Sequence, residues 1–338
     1  MTARFPRLKL AHLPTPLWRH DALDALVGTE VWVKRDDLTG SGTTGNKVRK
    51  LEFLMAAARA QECDTVITCG GTQSNHCRAT ALVAAELGLR CRLLLREGDP
   101  GSPPPLRGNL TLAAMAGAEL TFLSPEQYAR HDRWLERVAE ELRAQGRQPY
   151  VIPEGGSSGL GALAYVEAMA EVRRQLEAGE AGSKRPFDTL VTACGTGGTA
   201  AGAAIGAALH GVASSVMAMA VTEDQETFSR AIRRISEQCR QLDPSLPAPV
   251  PVEVADHARG PHYAIADVDQ LRFMIEVCTK TGLLLDPVYT GKALYGLSRA
   301  APMPGRVLFL HTGGLPGLLS QADAFDALLT PIVPASVS

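Results

Sequence analysis

The stretch TLVTACGTGGTAAGAAIGAAL, Thr189–Leu209, carries three signals in succession. TLVTA is a short apolar run ending at glycine, the pattern of a strand buried on both faces. CGTGGT follows, and an alanine-rich segment with helix-forming composition comes next. Strand, glycine loop and helix in that order are the opening of a βαβ unit and point to the α/β class. Glycines let backbone N–H groups converge, the helix start adds positive potential, and Thr196 and Thr199 offer hydroxyls. Three readings of the loop stand side by side. It can cradle a phosphate. It can be a dinucleotide turn, because Gly195, Gly197 and Ala200 fit the relaxed G-x-G-x-x-G/A spacing and Glu223 ends the next strand. It can simply pack strand against helix. A Walker A loop is excluded, since no Gly-Lys-Ser/Thr follows.

The same alternation runs outward in both directions. Towards the N-terminus, Val31–Lys34, Thr65–Cys69, Arg90–Arg96, Leu120–Leu123 and Tyr150–Ile152 read as strands. Helical stretches separate them, including Cys77 to Leu87, Leu110 to Ala116 and Glu126 to Gln145. GLGALAYVEAMAEVRRQL is a further helix, and Val216–Val221, Val252–Val254 and Arg306–Leu310 are later strands. Apolar strands alternating with helices predict mostly parallel sheets covered on both faces. Such sheets bind ligands at the C-terminal ends of their strands, where GGTQSNH, EGGSSG, CGTGGT and HTGG all fall. Glu97–Gly108 and Pro244–Pro251 are too rich in proline to be element interiors.

Composition narrows the setting. The chain has 338 residues, long enough for one large or two medium domains. Lys+Arg is 34 and Asp+Glu is 36, so no general charge draws it to nucleic acid or an anionic membrane. Seven cysteines without a CxxC pair suit reduced thiols better than disulfides or a zinc site. No run approaches the ~18 apolar residues of a membrane span, and no signal-peptide core opens the sequence. The expected setting is cytoplasmic, with no metal.

One segment breaks the usual rules. In TTGNKVRKLEF, Thr43–Phe53, Gly45-Asn46 reads as a turn with an N-cap and Val48, Leu51, Leu54 and Met55 as a helical apolar stripe. Lys47, Arg49 and Lys50 then sit in the first turn, where each cation costs roughly 0.3–1 kcal/mol against the helix dipole.

GNKVRKLEF after KRDDLTG, then GGTQSNH, CGTGGTAAG, DPVYTGKA and HTGG, occur in this order. The ordered set strongly resembles the tryptophan-synthase-β-like (fold type II) family of pyridoxal-phosphate enzymes, and spans about Leu13 to Leu319. Within it the match is to the branch of D-cysteine desulfhydrase and 1-aminocyclopropane-1-carboxylate (ACC) deaminase. The resemblance implies two αβα-layer domains with the cofactor between them: 1–50 plus 154–338 as the large one and 51–153 as the small one. It implies a homodimer acting on a small amino acid.

Site residues carry over by position. Lys47 matches the lysine that forms the Schiff base with pyridoxal phosphate. Gly195, Thr196, Gly197, Gly198 and Thr199 match the phosphate cradle, and Asn75 the residue near the cofactor's phenolic oxygen. Gln73 and Ser74 match the loop facing the substrate carboxylate and α-carbon. Tyr263 and Tyr289 match two active-site tyrosines, although His262 and Ala264 replace the family's usual glycine neighbours of the former. Asn75 also joins the substrate loop. His76 and His311 fall in motif loops with supporting roles, and Cys69, Cys77 and Cys194 read as packing residues.

Two positions divide the branch. ACC deaminases typically carry Glu after the DPVY tyrosine and Leu after the histidine of the HxGG loop. This chain has Thr290 and Thr312, the D-cysteine desulfhydrase pattern. A carboxylate there would strengthen the electron sink, whereas threonine hydrogen-bonds without charge. A weaker sink suits β-elimination, in which a leaving group carries the charge away. The resemblance therefore implies D-cysteine cleavage to pyruvate, hydrogen sulfide and ammonia, with Lys47 as general base. L-cysteate sulfo-lyase or another β-substituted alanine lyase is the alternative, then ACC deaminase, then a catalytically silent cofactor-binding protein.

Overall fold

A computed structural model describes residues 5–96, 104–260, 264–300, 303 and 305–329. Its ten strands in chain order are β1 (Leu17–Arg19), β2 (Glu30–Lys34), β3 (Thr65–Gly71), β4 (Arg90–Arg96), β5 (Glu119–Leu123), β6 (Pro149–Val151), β7 (Phe187–Cys194), β8 (Ala213–Ala220), β9 (Val252–Ala255) and β10 (Arg306–Leu310). They form two sheets, ordered β1-β2-β10-β7-β8-β9 and β5-β4-β3-β6. Every pairing is parallel except β1 with β2. The α/β class and the mostly parallel sheets expected from the sequence are both present.

Strand side chains alternate between two buried faces, which is why these strands read as unbroken apolar runs. In the six-stranded sheet Leu308, Leu310, Val216 and Ala218 enter one core with helices Gly159–Glu177 and Gly198–His210. Val307, Phe309, Met217 and Met219 enter the other, with helices Val268–Thr281 and Thr290–Arg299. The four-stranded sheet repeats the scheme. Val66, Leu93 and Leu95 face helices Lys47–Ala60 and Asn75–Glu86, while Ile67 and Leu94 face His131–Ala144. Each fully buried Leu, Val or Phe contributes about 1.5–3 kcal/mol, so the two alternating faces of both sheets hold the layers together.

Helix Lys47–Ala60 belongs to both halves. Phe53 lies in a core of the larger sheet, whereas Val48, Leu51, Leu54, Met55 and Ala58 lie in a core of the smaller one.

Some elements differ from the sequence reading. The Glu126–Gln145 helix is two helices, Pro125–Tyr128 and His131–Ala144, broken where Arg130 leaves helical geometry as the second N-cap. β1 and helix Asp21–Val27 were too short to register as periodic. Helix Gln225–Leu242 was missed despite a clear amphipathic pattern. The Glu97–Gly108 connection falls mostly outside the described residues. None of the helices among the described residues is long and apolar enough to cross a membrane.

Candidate active site

Parallel order puts the strand C-termini on one side, and the loops gather there. β10 lies between β2 and β7, so HTGG stands next to CGTGGT. β3 lies beside β6, so GGTQSNH stands next to EGGSSG. The GNK turn closes the gap. Asn46 N donates to Thr312 O at 3.1 Å, and a Cβ on Gly45 would lie 2.6 Å from that same oxygen. Gly45 (φ 103°) and Gly313 (φ 89°) interlock there, so neither tolerates a side chain.

Asn46 does not cap its helix, contrary to the sequence reading. It has helical φ and ψ and no side-chain cap bond, and its Nδ2 instead donates to Thr199 Oγ1 at 3.0 Å. The three cations that follow it part company. Arg49 turns into a buried ion network, with Nε 2.9 Å from Asp36 Oδ2 and Nη1 3.1 Å from Glu171 Oε2. Lys34 also pairs with Glu171, and the Tyr165 hydroxyl donates to Asp36 at 2.6 Å. Burial would raise the Glu171 carboxyl, but hydrogen bonding and charge from Arg49 and Lys34 bring it down to about 2. Lys50 turns the other way. Its Nζ donates to Gly155 O at 3.2 Å and Ser157 Oγ at 3.3 Å, and lies 2.9 Å from where a Cβ on Gly198 would stand.

Lys47 lies between them, lining a narrow slot and the larger cavity that joins it. Burial lowers its amine to about 8, against an opposing pull from Glu154 and Cys194. Near neutrality a usable fraction is therefore unprotonated. The slot is lined by Asn46, Asn75, Gly195, Thr196, Gly197, Thr199, Tyr289 and Thr312 besides Lys47. The larger cavity, about 450 Å³, adds Ser74, His76, Tyr128, Glu154 and Arg96.

The expected residues do not all arrive. Ser74 caps helix Asn75–Glu86, accepting from Cys77 N at 3.2 Å, and still lines the cavity. Gln73 does not: its amide bonds Arg107 O and Asn109 N, which ties the GGTQSNH loop to the start of helix Gly108–Met115. Thr290 does not line the site either. It is fully buried, and its hydroxyl donates to Asp286 Oδ1 at 2.7 Å as part of the helix start. The carboxylate of Asp286, four residues earlier, engages the hydroxyl that the sequence reading assigns to the site. Thr312 does line the slot. Tyr263 and His262 lie outside the described residues.

His76 bonds Thr68 Oγ1 at 3.0 Å, and burial together with Lys47 and Lys50 holds it neutral. His311 Nε2 bonds Leu284 O at 2.7 Å and so shapes the HTGG loop. Burial raises the thiols of Cys77 and Cys194 to about 12 and lifts Cys69 further, so these are inert packing groups. All seven cysteines are free. Sequence reasoning missed Glu154 and Tyr128, whose hydroxyl donates to Glu154 Oε1 at 2.6 Å. The EGGSSG loop was flagged, but its carboxylate was not.

A glycine cradle at a helix start, facing a buried lysine across the strand ends of two parallel sheets, defines an α/β enzyme built around an anionic cofactor. The chain belongs to the family of pyridoxal-phosphate dependent enzymes, whose sequence pattern matches residues 8–313. It is 41% identical, over 95% of its length and 81% of the relative, to the bifunctional D-cysteine desulfhydrase/1-aminocyclopropane-1-carboxylate deaminase, mitochondrial, of Arabidopsis thaliana. It is 37% identical to the D-cysteine desulfhydrase of Salmonella newport, covering 94% of this chain and 96% of that one. A solved structure described as an ACC deaminase homologue superposes with a TM-score of 0.86 at 34% identity, covering 97% of this chain and 98% of that one.

The residues present fit that cofactor. A Cβ on Gly198 would meet Ser157 Oγ at 2.6 Å, and one on Gly195 would meet the Tyr289 ring at 3.0 Å, so only glycine leaves the cradle open. Asn75 Oδ1 is buried without a hydrogen-bond partner beside the slot. Lys50 Nζ stands against the cradle, where burial and the neighbouring Lys47 push its amine well below the ordinary lysine value and a bound anion would favour its charged form. A phosphate, a polar ring substituent and an aldehyde would each find a matching group here.

Proposed function

We propose that this enzyme is a β-elimination lyase acting on a β-substituted alanine, with D-cysteine as its substrate. The observation that carries this reading is the absence of a carboxylate among the described residues lining the slot. Pyridoxal phosphate, when bound, supplies an electron sink for charge developing at the substrate α-carbon. A slot without an acid beside the ring favours a modest sink, and β-elimination needs no more, because the leaving group removes the charge.

The chain's own groups then divide the work. Gly195, Thr196, Gly197, Gly198 and Thr199 hold the phosphate, with Lys50 behind them. Asn75 orients the ring through its unpartnered oxygen. Ser74 and the N–H groups at the start of helix Asn75–Glu86 bind the substrate carboxylate. Lys47 takes the α-proton. Tyr289, which lines slot and cavity alike, gives a proton to the departing thiolate. With D-cysteine and water the products are pyruvate, hydrogen sulfide and ammonia. The reading also takes 1–50 plus 154–338 as the larger domain, 51–153 as the smaller, and a cytoplasmic homodimer as the working form. Exposed Leu106, Met115, Leu315 and Leu319, on or beside two helices packed together, support an association surface.

The test is product release from D-cysteine, L-cysteine, L-cysteate, D-serine and ACC by the purified holoenzyme. Pyruvate from D-cysteine should exceed every other product. If ACC yields 2-oxobutyrate faster, the elimination reading is wrong.

A further inference from the structure

Resting on the reading of the cavity as an amino-acid site, we propose that Glu154, held by Tyr128, determines specificity: it rejects substrates with a second anionic group and accepts a hydrogen bond from a neutral β-substituent. Besides His76 and the phenols of Tyr128 and Tyr289, the cavity walls carry seven ionisable groups of either sign, namely Lys47, Arg96, His131, Asp132, Glu154, Glu223 and Arg234. Asp132, Glu223 and Arg234 are exposed at the rim, where solvent screens them. Glu154 is the one carboxylate lining the interior among the described residues.

Its position is fixed from two sides. Gly155, at φ 65°, packs closely on the cradle, and the loop after β6 is tied there by Lys50 Nζ donating to Gly155 O at 3.2 Å and by the 2.6 Å hydrogen bond between Ser157 Oγ and Thr196 Oγ1. Tyr128 is 5% exposed and its hydroxyl donates to Oε1 at 2.6 Å. The His131 ring stacks on Tyr128 at 5.0 Å and the Arg96 guanidinium lies 5.4 Å from the ring centre. Tyr128 is thus a positioning residue whose own ring is held on both sides. Glu154 Oε2 takes no hydrogen bond among the described residues, leaving an acceptor for a substrate thiol or hydroxyl.

The substrate α-carboxylate is assigned to Ser74 at the start of helix Asn75–Glu86, in the same cavity, where the helix N–H groups offset its charge. A second anion, on the β-carbon, would remain in the cavity with Glu154 and be repelled by it. Arg96 is half-buried and its guanidinium is held over the Tyr128 ring. Asparagine and aspartate differ in charge at nearly constant shape and isolate it.

The holoenzyme is titrated with asparagine and with aspartate, each as both enantiomers, and binding is read from the cofactor absorption band. Wild type should prefer asparagine. Glu154→Gln should cut that preference by at least about tenfold, the size of a like-charge term at effective protein dielectric. Tyr128→Phe, which frees the carboxylate without removing it, should reduce the preference partially. An unchanged ratio in Glu154→Gln overturns the proposal, as does a wild type that binds aspartate as well as asparagine or takes up neither. Should Glu154→Gln fold poorly, an unchanged ratio in Tyr128→Phe overturns the holding role and a reduced one supports it. Loss of D-cysteine turnover plays no part in this readout, so the lyase reading can fail while the charge filter stands.

Discussion

Asn46 Nδ2 donates to Thr199 Oγ1 at 3.0 Å, joining the residue before Lys47 to the last residue of the CGTGGT loop. The bond crosses the interface between two segments that are 153 positions apart. It holds the GNK turn against the glycine loop, the two segments proposed to carry the cofactor's ends. Asn46→Ala removes one net hydrogen bond, so cofactor affinity should fall about two- to tenfold with melting temperature nearly unchanged. Cofactor titration of the apoenzyme measures it.

Lys47→Ala removes the proposed base. Pyruvate release should drop by more than about a thousandfold, in line with loss of a general base that is also the covalent anchor. Borohydride should fix the chromophore to wild type and not to the variant. Normal turnover by Lys47→Ala would falsify the assignment.

The lowered amine gives a pH dependence with a definite sign. Below about 8 the Lys47 amine is mainly protonated and unreactive; above it the neutral form dominates. The rate at which apoenzyme takes up pyridoxal phosphate should therefore rise with pH and level off above about 8. Because Glu154 opposes the lowering, Glu154→Gln should move the midpoint to lower pH. Stopped-flow absorbance across pH 6–10 reads both.

Two glycines in one helix should respond differently to alanine. At Gly198 the new methyl would meet the side-chain ends Ser157 Oγ at 2.6 Å and Lys50 Nζ at 2.9 Å and would crowd Ser157 Cα at 3.0 Å. Gly198→Ala should weaken cofactor binding about tenfold or more, an overpacking cost of roughly 1–3 kcal/mol, and leave the fold intact. At Gly202 the methyl would collide with the Ala162 backbone oxygen, so Gly202→Ala should lower the melting temperature instead.

Glu171 anchors the network that neutralises Arg49 and Lys34. Replacing it with Gln leaves those cations short of an anion and should cost about 3–5 kcal/mol at neutral pH, measured by urea unfolding. Its folded carboxyl is depressed, so its contribution is complete above the ordinary value of 4.5 and is lost as pH falls towards about 2. The stability gap between wild type and Glu171→Gln should narrow over that interval.

The cradle, Lys47, Ser74 and Asn75 could be read directly because glycine spacing, a helix start and ordered motifs are local properties. The paths of Arg49 and Lys50 could not. One residue apart on a helix, they differ by about 100° in direction, and which meets Asp36 is decided by packing between distant segments. Gln73 and Thr290 show the opposite failure. Their positions are local to the site, but nearby partners at Arg107, Asn109 and Asp286 hold their polar atoms away from it. Glu154 was not legible because nothing local marks its carboxylate: its tie is to the Tyr128 hydroxyl, 26 positions away.

The helix Lys47–Ala60 places its first residue at the site and its apolar residues in cores of both sheets. Neither half can loosen without tugging on the Lys47 amine. A partially unfolded form with one sheet intact would have its lysine out of register with the cradle, and so would be inactive. Activity in this chain therefore serves as a reporter of whole-molecule integrity, and limited damage to either half should register as lost turnover before it registers as lost secondary structure.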